Sequence, residues 1–186
     1  ICKKISDYMT KQWEAVYVDP DKKIFLLNES LGTILVYDER KKELTHSINL
    51  SRFTLEKKPN TDMTRFLDKN SLGEGFIPLN NGHILVVKES FPPSLIEFGP
   101  EGESPKGFEI NLLINKDYPF PFSSEKMSLV PLHVWELPEE YAACDLSELT
   151  YSPKTGLNVL SQKCQVILEL ADVKVESNTM EVGNFY

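Results

Sequence analysis

The sequence predicts an all-β fold, a β-propeller of four-stranded antiparallel blades, and three observations lead to this prediction. Three segments align with one another without a gap, namely residues 14–29, 74–89 and 147–162. Each segment joins two short apolar runs through a turn, and no long amphipathic helical pattern occurs elsewhere in the chain. Self-similarity at a spacing of many tens of residues is typical of repeat architectures, and short strands joined by tight turns are typical of propeller blades.

Each repeat begins as a hairpin and continues into a third strand. The hairpin turns are Asp19-Pro20-Asp21-Lys22, Leu79-Asn80-Asn81-Gly82 and Ser152-Pro153-Lys154-Thr155-Gly156. These residue types favour tight turns, since Gly and Asn tolerate positive φ and the ring of Pro presets φ. The third strand is predicted at residues 33–37, 94–98 and 165–170. Candidates for the fourth strand are residues 44–48 in the first repeat, 108–113 or 133–137 in the second, and 173–175 in the third.

Several of these strands are apolar on both faces. The first hairpin carries Val16, Val18, Phe25 and Leu27, which cannot all point to one side of a sheet because strand side chains alternate. A sheet that is apolar on both faces must be covered on both. Stacked propeller blades satisfy this requirement.

We predict a single, partial propeller domain over residues 1–186, with blades at approximately 12–56, 72–113 and 133–176. Long inter-blade insertions are predicted at 50–72 and 99–132, and insertions of this length are commonly functional. Three blades do not close a ring, since propellers have at least about four. Either the chain is an excerpt of a longer protein, or part of the ring is missing, or two copies assemble. We favour the excerpt, with residues 1–11 as the tail of a preceding blade.

The composition restricts the classes of partner. The formal net charge is −8 and the pI is about 5.0, which argues against nucleic acid because phosphates favour a basic surface. No apolar run approaches the about 20 residues of a membrane helix, so we expect a soluble protein without a membrane span. Cys2, Cys144 and Cys164 are odd in number and lack a metal-binding spacing, which favours free thiols in a reducing compartment. The chain begins at Ile1, which indicates a processed or excised N-terminus.

The aligned repeats place acidic residues at equivalent positions. The first strand of a blade lines the central channel, so Glu14, Glu74 and Ser147 are predicted around one mouth of that channel. Glu29 and Glu89 end the adjacent strands and are predicted to face the same mouth. Converging carboxylates offer the oxygen ligands that Ca²⁺ requires, so the four Glu residues are the candidate metal ligands. The alternative is that the repeated Glu accepts backbone N–H groups of the neighbouring blade and clamps the blades together without a metal.

Other side chains have two interpretations each. Lys88 precedes Glu89 and is a candidate substrate-binding residue for an anion, or else it forms a salt bridge with Glu74 or Glu89. His83 follows a hairpin turn, where we expect it at the surface. The segment Tyr118-Pro119-Phe120-Pro121-Phe122 is expected either to cover the channel or contact a partner, or to be buried. No nucleophile elbow, P-loop, zinc-protease or dinucleotide motif is present.

Two stretches resemble a known group of propellers. Residues 74–98 resemble the esterase-like phytase pattern, in which Glu-Gly opens a strand. Asp145-Leu146-Ser147-Glu148-Leu149, followed by Leu160-Ser161, resembles the SdiA-regulated signature. The resemblance implies a six-bladed ring of the calcium-dependent phosphotriesterase-like superfamily and adds Asp145 and Ser147 as residues of interest. This sequence departs from the pattern where Phe91-Pro92-Pro93 replaces a Gly-Pro turn, and where Ser147 and Gln162 replace Glu.

Two function hypotheses follow. The first is a Ca²⁺-dependent esterase or phosphoesterase-like hydrolase, in which the metal polarises an oxygen of a small ester or phosphoester and binds the attacking water, as the resemblance implies. The second is a non-catalytic propeller scaffold that binds a protein partner or a small ligand through its long loops, the insertion at 99–132 above all. The number of carboxylates that converge at the channel mouth discriminates between them.

Overall fold

The computed structural model describes residues 13–51, 72–89 and 92–186, and within these ranges its regular secondary structure is almost entirely β-strand. The first four are β1 (Trp13–Val18), β2 (Lys23–Asn28), β3 (Thr33–Asp38) and β4 (Glu43–Leu50). The next four are β5 (Leu72–Pro78), β6 (Ile84–Lys88), β7 (Ser94–Gly99) and β8 (Lys126–Glu136). The last four are β9 (Glu148–Ser152), β10 (Gly156–Ser161), β11 (Val166–Asp172) and β12 (Glu181–Phe185). Single 3-10 turns occur at Ile110–Leu112 and Glu139–Tyr141.

The strands form three four-stranded antiparallel units, which confirms the all-β, propeller-like fold. Consecutive strands pair within each unit, in the orders β1-β2-β3-β4, β5-β6-β7-β8 and β9-β10-β11-β12. In the third hairpin Gly156 takes a φ of 78°, as the sequence predicts, whereas in the first hairpin the positive φ of 63° falls on Lys22. The Asp19 carboxylate accepts the backbone N–H of Lys23 at 2.8 Å and closes the first turn.

The strand β8 joins the first two units. Residues 126–129 pair in parallel with residues 47–50 of β4, whereas residues 130–136 pair antiparallel with β7, with an irregularity in register between Glu97 and Phe98. The first two units therefore share one eight-stranded sheet. A strand that changes its partner midway cannot be recognised from its own alternation pattern.

The fourth-strand predictions have different outcomes. In the second unit, the alternative at residues 133–137 coincides with the end of β8, which starts at Lys126 and ends at Glu136, whereas residues 108–113 contain the turn Ile110–Leu112 and an isolated bridge from Leu113 to Leu79. In the third unit, residues 173–175 are not a strand, and the fourth strand is Glu181–Phe185. Most residues of this strand are exposed, so no buried face marks it in the sequence.

The middle unit is buried on both faces, as stacked blades require. One face of β5–β8 packs on the first unit, and this core contains Phe25, Leu27, Ile34, Val36, Phe76, Ile84, Val86, Ile96 and Phe98. The opposite face packs on the third unit, and this core contains Ile77, Leu85, Val87, Leu95, Trp135, Leu149, Leu157, Val159 and Leu168. Alternate side chains of β6 enter the two cores, and for this reason every residue of the strand is buried.

The first strands of the three units lie side by side, with β5 between β1 and β9. The closest approach is at Gly75, where an added Cβ would lie 2.4 Å from the backbone nitrogen of Leu149 and 2.8 Å from the carbonyl carbon of Glu148. Only a residue without a side chain permits this distance between β5 and β9.

We expect Gly75→Ala to destabilise the fold by about 1–3 kcal/mol, because backbone atoms of β9 would have to move apart from β5. Urea unfolding measures the change. Gly183→Ala is the matched control, since its Cβ would meet the methyl group of Ala171 at 3.3 Å rather than a backbone atom. Equal stability of the two variants would contradict the close approach.

A disulfide joins Cys144 to Cys164, which corrects the expectation of free thiols at these two positions. Cys144 precedes β9, and Cys164 lies in the turn between β10 and β11. Cys2 lies outside the described residues. Disulfides are typical of oxidising compartments, so the cysteines no longer favour a reducing one.

Within the described ranges, no helix has the length and apolar character needed to cross a membrane.

Candidate functional site

The four predicted metal ligands lie at equivalent places in the first two units. Glu14 is exposed in β1, and Glu74 is partly buried in β5. Glu29 follows β2 and is 3% exposed, and Glu89 follows β6 and is partly buried. The structure brings their charges together, because Glu89, Glu29 and Glu14 all act on the carboxyl group of Glu74.

We call Glu14, Glu29, Glu74 and Glu89 together the acidic mouth, after the channel mouth predicted for them. Glu74 is its electrostatic centre. Burial raises the pKa of Glu74, and the negative charges of Glu89, Glu29, Glu14 and Asp145 raise it further, to about 7. A carboxyl group with this pKa is about half protonated in neutral solution. These carboxylates therefore repel further negative charge, and Glu74 holds its proton up to near-neutral pH.

The acidic mouth is not arranged as a coordination sphere. Among the described residues, no group of three or more His, Cys, Asp or Glu side chains is placed to hold one metal ion. Charges act on a neighbour over longer distances than the 2.3–2.6 Å of a Ca²⁺–oxygen bond, so shared electrostatics do not imply shared ligation. Ca²⁺ at Glu14, Glu29, Glu74 and Glu89 remains a prediction.

Asp145 and Ser147 connect the start of β9 to the turn after β10. The Asp145 carboxylate accepts the Ser161 hydroxyl at 2.7 Å and the backbone N–H of Lys163 at 2.9 Å. The Ser147 hydroxyl accepts the backbone N–H of Gln162 at 3.2 Å. Burial raises the pKa of Asp145, but these hydrogen bonds and the Lys163 charge outweigh it, so the net pKa is lowered. Both residues therefore stabilise the third unit by joining the segment before β9 to the turn after β10.

Lys88 lies at the end of β6 and is 1% exposed. A buried ammonium group needs a charged or polar neighbour to offset the loss of water. Its burial therefore favours the ion-pair interpretation over direct contact with an anionic substrate.

His83 is buried rather than exposed, which corrects the surface position predicted for it. Its Nδ1 lies 2.5 Å from Glu97 Oε1 and its Nε2 lies 3.0 Å from Glu103 Oε2. The Glu97 carboxylate also accepts the backbone N–H groups of Lys106 and Gly107. Burial lowers the pKa of His83, but the hydrogen bonds to the two carboxylates outweigh it, so the net pKa is raised. The sequence signal was Glu97 itself, a charge inside the apolar strand β7 that needs a partner.

The insertion between β7 and β8, residues 100–125, is fastened to the first two units. Next to the His83 network, the Asn80 amide donates to the carbonyl groups of Asn111 at 2.6 Å and Leu113 at 3.1 Å. The Phe120 ring lies edge-on to Phe25 at 5.9 Å. The insertion is thus held at its beginning, middle and end.

The segment 118–122 is buried in part and exposed in part. Phe120 is 2% exposed, and the Phe122 ring stacks on His46 with 3.8 Å between ring centres. Tyr118 is 64% exposed, and Ile110, which lies earlier in the insertion, is 66% exposed. The insertion therefore presents two large apolar side chains to solvent from a fixed backbone.

Comparison with known proteins gives no family. No family model matches the chain, and no curated protein matches it. The chain is similar to the solved structures of Kluyvelomyces marxianus Hsv2 and Kluyveromyces lactis Hsv2, each at 13% identity, with TM-scores of 0.44 and 0.43. These matches cover 92% and 95% of this chain but 47% and 48% of Hsv2, so the chain spans about half the length of the structures it matches. The assignment to the phytase-like and SdiA-regulated families is therefore wrong.

Proposed function

We propose that this protein is a non-catalytic β-propeller scaffold that binds a protein partner through the insertion at residues 100–125. The observation that carries the proposal is the exposure of Ile110 and Tyr118, at 66% and 64%, on a segment that is otherwise anchored. Loops positioned by a rigid scaffold are the usual carriers of binding.

The anchoring reduces the entropic cost of binding. The Glu97 carboxylate and the Asn80 amide hold the insertion through hydrogen bonds to its backbone. A segment that is already ordered loses little freedom when a partner covers it, and more of the contact energy then appears as affinity. Tyrosine is enriched at protein interfaces because its ring is apolar and its hydroxyl can bond at the rim.

The charge of the insertion indicates the character of the partner. Residues 100–125 contain five acidic side chains, Glu101, Glu103, Glu109, Asp117 and Glu125, against the two basic side chains of Lys106 and Lys116. Complementary potentials guide association and select partners. We therefore expect a partner surface with an apolar centre and a basic rim.

Photo-crosslinking tests this proposal. In Tyr118→p-benzoylphenylalanine protein, irradiation in an extract of the source cells is expected to yield one dominant protein adduct. Adding Ile110→Asp to that protein is expected to lower the yield at least about tenfold, as for a central interface residue. Tyr186→p-benzoylphenylalanine is the matched control, since Tyr186 is 67% exposed outside the insertion. Equal adducts from both positions, or none from position 118, would overturn the proposal.

A Ca²⁺-dependent ester or phosphoester hydrolase is the second candidate. The pKa of about 7 at Glu74 supports it, because a cation at the acidic mouth would relieve the repulsion that raises this value. The positions of the described carboxylates support the hydrolase less, since no group of three or more of them is placed to hold a metal ion.

A further inference from the structure

We propose that the cavity between β1, β5 and β9 is a binding site for a small organic cation with an apolar or aromatic body. The site differs from the proposed partner surface at Ile110 and Tyr118, although the same insertion contributes Leu113 and Ile114 to its wall. The cavity has a volume of about 640 Å³, within the range of small-molecule sites in proteins. Its described lining comes from all three units, through Val16–Val18, Phe76–Ile77 and 148–151, and from residues 113–114.

The charge of the cavity comes from Glu148. Among the described lining residues it is the only carboxylic acid, and none is a Lys, Arg or His. Its Oε1 accepts the backbone N–H of Leu149 at 2.9 Å, which holds the carboxylate at the start of β9. A single partly buried carboxylate in an otherwise uncharged cavity selects a ligand with one positive charge.

The absence of a side chain at residue 75 lets the backbone of β5 lie directly against this carboxylate. A Cβ on Gly75 would lie 2.8 Å from Glu148 Oε1. Burial raises the pKa of Glu148, and the hydrogen bond from Leu149 lowers it by less. A bound cation would replace the water that the carboxylate has lost.

Aromatic and apolar side chains form the rest of the wall. Tyr17, Phe76 and Tyr151 line the cavity, and the Tyr17 and Phe76 ring centres are 6.5 Å apart. Aromatic faces attract cations, most strongly where water is excluded. Val16 and Val18 are 61% and 58% exposed at the same cavity, which provides apolar surface for the body of the ligand.

Three probes of matched shape test the proposal by isothermal titration calorimetry: phenethylammonium, 2-phenylethanol and 3-phenylpropionate. The ammonium probe is expected to bind at least about tenfold more tightly than the alcohol, since one desolvated ion pair or cation–π contact supplies that difference. The anion is expected not to bind. NMR shifts of the Tyr17 and Tyr151 rings are expected to report on the same probe.

Glu148→Gln is expected to remove the preference for the ammonium probe. Glu148→Asp is a second variant for the case that Glu148→Gln folds poorly, and it is expected to retain part of the preference. Glu181→Gln, which removes an exposed charge in β12 of the same unit, is the matched control and is expected to bind like the wild type. Equal binding of all three probes, an unchanged preference in Glu148→Gln, or no binding of any probe at millimolar concentration would overturn the proposal.

Discussion

Replacing Glu74 with glutamine is expected to stabilise the protein by about 1–2 kcal/mol well above pH 7, after allowance for solvent screening at a partly buried carboxyl group. The folded-state pKa of Glu74 is about 7, against an ordinary value of 4.5. Burial and the neighbouring carboxylates therefore penalise the ionised form, and glutamine removes the charge while keeping the shape.

The sign of the pH dependence follows from the same shift. The folded state binds the Glu74 proton more tightly than the unfolded state. The contribution of Glu74 to the free energy of unfolding is therefore greatest below the ordinary pKa of 4.5 and falls as the pH rises to about 7. Glu74→Gln should lose this part of the slope. Urea unfolding across that pH range measures the effect, and Glu101→Gln, which removes one exposed charge from the insertion, is the control. Lower stability of Glu74→Gln with an unchanged slope would contradict the prediction.

The same variant separates the two candidate functions. If the acidic mouth holds Ca²⁺, the thermal midpoint should rise from EGTA to added Ca²⁺ in a saturable manner, and Glu74→Gln should lose this rise. If the protein is a scaffold without a metal, Ca²⁺ should act no differently from Mg²⁺. A Ca²⁺-specific rise would favour the hydrolase and justify a screen of esters and phosphoesters.

Replacing His83 with leucine is expected to destabilise the protein by about 3–5 kcal/mol. His83 and Glu97 are both fully buried, and removal of one partner leaves a buried charge without its counter-charge. The insertion should also loosen, because Glu103 loses its contact with His83 Nε2. Urea unfolding measures the first effect, and the rate of limited proteolysis after Lys106 measures the second.

The pH dependence of this pair has a definite direction. The pKa of His83 is raised above 6.5, so its contribution to stability is complete below 6.5 and is lost as the pH rises through the folded-state value. The slope should vanish in His83→Leu. His133→Gln is the control, since His133 Nε2 meets only the Ser177 carbonyl among its described hydrogen-bond partners. Wild-type stability and proteolysis of His83→Leu would refute the role of the network.

Local patterns were sufficient to predict the hairpin that opens each unit. The hairpins β1–β2, β5–β6 and β9–β10 form at the predicted turns, because turn residues and strand alternation act over a few neighbouring residues. The gathering of charge around Glu74 also follows from the repeat, since equivalent positions in stacked units are close in space.

Local patterns did not predict contacts between residues that are distant in the chain. His83 meets Glu103 across the insertion, and Cys144 meets Cys164 across a hairpin. Neither pairing leaves a periodic signal. The partial signal was chemical, since Glu97 stands as an acid among apolar residues in β7. The cavity at Glu148 likewise requires three separate strands to meet.

By itself, the sequence determined that this protein is a set of stacked antiparallel units with acidic residues at one end of their first strands. Only the tertiary structure decided which acids are buried, that the pKa of His83 is raised, where β8 changes partner and that β1, β5 and β9 line a cavity. The physical reason is range: turns and alternation are local, whereas burial, electrostatic shifts and cavities arise when units distant in the chain come into contact.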